Sequence, residues 1–62
     1  MNCKRIEFKN PRGDNSILFG VIIEKTKNLI CFKTDKRVYL VNKEGIVSLT
    51  DTDMVFRGKL DE

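Results

Sequence analysis

Histidine and tryptophan are absent and proline occurs once, at Pro11. Without His the chain lacks the commonest general base, the usual nitrogen ligand of zinc and the partner of a triad nucleophile. The two cysteines, Cys3 and Cys31, are too far apart in sequence for a CxxC metal knuckle. The four glycines, Gly13, Gly20, Gly45 and Gly58, are scattered and form no phosphate loop. The longest apolar run, ILFGVII, falls far short of the about 20 residues of a membrane helix. Carboxylates are scattered, mostly in turns beside cations, so a catalytic pair could arise only through folding. These absences predict no enzyme, no metal, no cofactor and no membrane partner. The N-terminus MNCKRIEFKN carries charge with no apolar stretch behind it, which reads as no secretory leader and predicts a cytoplasmic protein with reduced thiols.

What the chain does have is positive charge and short β-type runs. Twelve Lys and Arg against nine Asp and Glu give +3 over 62 residues, and the sequence pI is about 9.1. Residues 1–49 hold ten cations and five acids, a sum of +5, whereas residues 50–62 hold two cations and four acids, a sum of −2. The body is therefore basic enough to favour polyanions. The length predicts one domain over 1–62, in the size range where oligomerisation often supports a small core.

The apolar runs are rich in Val, Ile and Phe, too short for helices and cut by turn formers. Strands are predicted at 4–9, 16–25, 29–34, 38–42, 46–49 and 54–60, with a polar turn at 50–53. Residues 10–15, NPRGDN, are dense in turn formers; Arg12-Gly13-Asp14 matches an integrin-adhesion tripeptide but reads here as a plain turn. Gly20, in the middle of the strongest strand, marks a bend or the close approach of another backbone. Five or six short strands that must hide their edges predict an all-β protein: a small antiparallel barrel, Sm-like or SH3-like, with its curled sheet closed on itself. Alternation selects Ile6, Phe8, Leu18, Val21, Ile23, Leu29, Cys31, Val38, Leu40, Ile46 and Val55 as the core.

Most polar residues in or beside the hairpin turns are Lys, Arg or Asn. In a meander alternate turns share one end, which predicts that Lys25, Lys27 and Asn28 neighbour Lys43, with the turn carrying Lys36 and Arg37 at the far end. Lysines neutralise phosphates with counterion release, and Asn offers both a donor and an acceptor to a base edge. Arg57 and Lys59, flanking Gly58, complete the predicted RNA-binding set. The four phenylalanines are expected in the core, and Tyr39 is kept as a candidate stacking residue.

The segment GVIIEKTKNL at 20–29, followed by a strand, a charged turn and VNKEGIV at 41–47, resembles the archaeal ribonuclease P protein subunit of Sm-like fold. The residues that carry the resemblance are Gly20, Glu24, Thr26, Asn28, Lys43 and Gly45. MVFRGKL at 54–60 looks like the hydrophobic-Arg-Gly segment of Sm and Sm-like proteins. Together these cover roughly half the chain, and the resemblance implies an Sm-like barrel, contact with RNA and a place in a ribonucleoprotein. Two other functions fit the same residues: a small protein-interaction module or regulator, paired with a protein partner or a second copy of itself, and a duplex DNA binder. The modest charge of +3 weighs against the DNA binder.

Overall fold

A computed structural model describes residues 1–58. It is all-β, with strands β1 (Asn2–Lys9), β2 (Asn15–Lys25), β3 (Leu29–Lys33), β4 (Val38–Asn42) and β5 (Ile46–Val55), and one 3-10 turn at Lys43–Gly45. All pairs are antiparallel and the spatial order is β4-β3-β2-β1-β5. β2 serves both halves: Asn15–Gly20 pairs with β1, and the stretch from Val21 to Lys25 pairs with β3. The sheet curls where β2 changes partner. It is barrel-like but not closed, contrary to expectation, because β4 and β5 occupy its two ends and the 3-10 turn joins them without a ladder between them.

Gly20 stands at this change of partner. A Cβ built there would overlap the carbonyl oxygen of Lys33 and lie 2.8 Å from its carbonyl carbon. The glycine therefore allows β3 to cross β2 at backbone distance. At the β1–β2 turn, Gly13 takes φ of 92° while the Asn10 side chain accepts from the N–H groups of Arg12 and Asp14 at 3.0 and 3.2 Å. The Arg12-Gly13-Asp14 tripeptide is thus built as a capped turn.

Two strand boundaries differ from the sequence reading. The predicted turn at 50–53 lies inside β5, and no separate strand begins at Met54; Lys59 and Leu60, the end of that predicted strand, lie outside the described residues. Thr50 and Asp51 pair with Arg5 and Lys4, and Lys4 forms an ion pair with Asp51. Beyond them the ladder slips, since Asp51 faces Lys4 but Val55 faces Asn2. Thr52 serves this irregularity, its hydroxyl donating to the Cys3 carbonyl at 2.8 Å and accepting from the Met54 N–H at 3.1 Å. The polar residues that imitate a turn satisfy a bulged edge instead.

The core is Ile6, Ile30, Phe32 and Val41, with Phe8, Leu18, Ile22, Tyr39 and Ile46 packed against it. Cys3 and Val21 are also buried. In β3 and β4 the buried face is the opposite of the one expected: Ile30 faces Val41 and Phe32 faces Tyr39, whereas Leu29, Cys31, Val38 and Leu40 lie on the other face. Leu40 is 68% exposed and Val38 is exposed as well, while Cys31 and Leu29 are half-buried. Both faces of these strands are apolar, and the larger Phe32 is the one taken inside. Ile23 falls at the slip between the pairs Ile22–Phe32 and Glu24–Cys31 and is 43% exposed. Val55, at the end of an edge strand, is 61% exposed. Cys3 and Cys31 are free thiols.

Thr34 is buried, and its hydroxyl organises the β3–β4 turn. The Oγ1 atom accepts from the N–H groups of Lys36 and Arg37 at 3.2 Å each and donates to the Arg37 carbonyl at 3.2 Å. Replacing the hydroxyl by a methyl of similar volume takes the acceptor from the Lys36 and Arg37 N–H groups, while the Arg37 carbonyl keeps its bond from the Thr34 N–H. Thr34→Val is expected to lose about 1–3 kcal/mol, read as a lower urea midpoint with an unchanged slope.

Candidate nucleic-acid interface

β3 has a cationic surface at each end. At its start, Thr26 closes the β2–β3 turn: its N–H donates to the Leu29 carbonyl at 2.9 Å, and its hydroxyl accepts from the Leu29 N–H at 3.0 Å. The 3-10 turn is fastened beside it, the Lys43 N–H donating to the Asn28 carbonyl at 2.9 Å. Asn42 caps the 3-10 turn by accepting from the Glu44 N–H at 2.9 Å. Lys25, Lys27, Asn28 and Lys43 are all exposed and are brought to one rim. Glu24 and Glu44 share it and are also exposed, and Lys9 lies against the 3-10 turn at Gly45.

The other end holds the Thr34–Arg37 turn and, against it, the segment following β5. A Cβ at Gly58 would lie 3.2 Å from the Asp35 Cα. Arg57 is therefore at this end and does not join Lys25, Lys27 and Lys43; Lys59 lies outside the described residues. Lys33 also leaves the exposed cationic set, being only 8% exposed, since its stem lies opposite Val21 and Val38 in the sheet. Lys36, Arg37 and Arg57 are exposed at this end, and the exposed Asp35 stands with them.

Two adjoining hollows open here. One, of about 350 Å³, is walled by Tyr39, Phe19, Lys36 and Arg37; the other, of about 190 Å³, by Phe19, Phe56, Met54 and Arg57. Phe19 and Asp35 line both. Tyr39 is half-buried against the core and also lines the wider hollow. Phe19 and Phe56 were expected in the core, but Phe19 pairs with Arg5 on the face opposite the Ile6–Leu18 pair and is 40% exposed. Strict alternation from the buried Ile6 across the hairpin was the available signal for it.

The ion pairs among the described residues are Lys4–Asp51 and Arg5–Glu7, so neither cationic end is neutralised by a direct pair. Among the described residues no three His, Cys, Asp or Glu side chains converge on a metal position, and no helix is long and apolar enough to cross a membrane. The fold and these two surfaces define a small all-β protein with cationic residues at both ends of its curled sheet. No protein-family model, curated protein or solved structure matches the chain.

Proposed function

We propose that the protein is a non-catalytic RNA-binding module of Sm-like or SH3-like type, acting in a cytoplasmic ribonucleoprotein. The observation that carries this reading is the hydrogen bond from Lys43 to Asn28, which fixes two cationic turns as one rim. Lys25, Lys27 and Lys43 contact phosphates, and Asn28 offers its amide to a base or sugar. Arg57 meets nucleotides at the far end of the sheet.

Replacing the three lysines by Gln is expected to weaken RNA binding and lower its logarithmic salt slope by about 2 for a single strand, at about 0.7 per phosphate contact. Asn28→Ala removes a directional amide but no charge. It is expected to weaken binding to a preferred sequence by about 1–3 kcal/mol with an unchanged slope. Titrations at two salt concentrations check both, and equal affinity of the wild type and the triple variant would sink the rim.

The second reading, a protein-interaction module, is favoured by Leu40 and Val38, exposed side by side on β4, an edge strand of the sheet among the described residues. It replaces the first if neither single-stranded RNA, structured RNA nor duplex DNA binds. Preferential binding of the duplex DNA would instead support the DNA binder.

A further inference from the structure

We propose that the hollows on either side of Phe19 form a second binding site, which takes the unstacked bases of a single-stranded RNA. The site rests on the RNA-binding reading above but uses the opposite end of the sheet. Its walls combine three aromatic rings, Tyr39, Phe19 and Phe56, with three exposed cations, Lys36, Arg37 and Arg57. Tracking a phosphate chain with cations while stacking its bases on rings is how single strands are bound, and every base presents a face to stack. A regular duplex keeps its bases stacked inside and cannot use the rings.

The charge arrangement orients the strand. Asp35 lies on the wall common to both hollows and repels phosphate, whereas the cations flank it on both sides. The backbone is thereby directed to Arg37 and Arg57, and the bases turn inward toward Phe19, where the Asp35 carboxylate can accept a hydrogen bond from a base amino group. The Thr34 hydroxyl positions Lys36 and Arg37 by fixing their turn.

The chain contains one tyrosine and no tryptophan, so emission excited beyond the phenylalanine absorption band comes from Tyr39, which lines this site. The probes are a single-stranded RNA of about ten nucleotides and its matched duplex, a length within the span of single-strand sites. Single-stranded RNA is expected to quench Tyr39 emission after correction for absorption by the RNA, both in the wild type and, at saturation, in the variant with Lys25, Lys27 and Lys43 changed to Gln. Phe19→Leu keeps an apolar side chain at an exposed position and removes the ring. It is expected to weaken single-strand binding about fivefold or more, without changing the salt slope or duplex binding. Arg37→Gln with Arg57→Gln is expected to lower the single-strand slope by about 1.4. Thermal melting confirms that each variant is folded.

Binding that leaves Tyr39 emission unchanged and is untouched by Phe19→Leu and by the arginine pair would overturn this site, while loss of affinity in the lysine variant upheld the rim. Absence of RNA binding by the wild type would overturn both.

Discussion

Gly20→Val is expected to leave the protein largely unfolded at room temperature. The added side chain must occupy the place of the Lys33 carbonyl, and the ring of Phe32 is 3.1 Å from the same point. A flexible side chain could move aside, but here the obstacle is the backbone of β3, held in its ladder by the pairing of Val21 with Lys33. Relief requires β2 and β3 to separate where the sheet curls. Overpacking in a core commonly costs about 1–3 kcal/mol, and a clash with paired backbone exceeds that range. A domain of 62 residues has only about 3–9 kcal/mol in total, at 0.05–0.15 kcal/mol per residue. Circular dichroism melts test this directly, and an unchanged or higher melting temperature would refute the close-approach account. Gly20→Ala is expected to show the same defect in milder form.

Phe32→Ala is the second substitution expected to be severe. Phe32 and Ile6 are the largest fully buried side chains, and Phe32 packs in the cluster with Ile30 and Val41. Removing the ring loses its transfer energy and opens a cavity that a curled sheet paired on both sides of β3 cannot readily collapse. The expected loss is about 3–5 kcal/mol, a large share of the total stability. Leu40→Ala is the matched comparison: Leu40 is apolar too but faces outward, so the change should stay within about 0.5 kcal/mol. Urea midpoints for the two variants decide which face of the β3–β4 pair is the core. Equal losses would mean that the outward face is also covered.

β1 to β4 and the turns between them were legible because Pro11, Gly13, Asn28 and the charged triplets interrupt apolar runs that alternate or are wholly apolar, whereas the polar residues 50–53 hid the continuity of β5. The placement of Lys43 beside Asn28 was legible too, since it follows from counting alternate turns. The choice of face in β3 and β4 was only faintly marked: in LICFK and VYLVN both phases are mostly apolar, and the terminal Lys33 and Asn42 alone distinguish the phase of Leu29, Cys31, Val38 and Leu40 from the wholly apolar phase of Ile30, Phe32, Tyr39 and Val41. Ile23 was misplaced by a one-residue slip, which reverses inside and outside and leaves no trace in composition. The rim of Lys25, Lys27, Asn28 and Lys43 could be assembled from turn order alone. The aromatic hollows could not, because Phe56 and Arg57 reach Asp35 through contacts between residues about 20 positions apart, which no local pattern encodes.

The place of β1 between β2 and β5 has a kinetic consequence. One side of β1 can pair as soon as the first hairpin closes, but the other waits for a partner that begins at Ile46, after every other strand has been made. As the chain leaves the ribosome, the second edge of β1 stays bare until β5 has emerged. Closing so long a loop incurs its entropy loss before any contact offsets it, so the final pairing is slow and comes late. Until then Ile6, which faces Leu49 in the finished sheet, is uncovered on that side. The nascent chain is therefore most prone to mispairing just before β5 emerges.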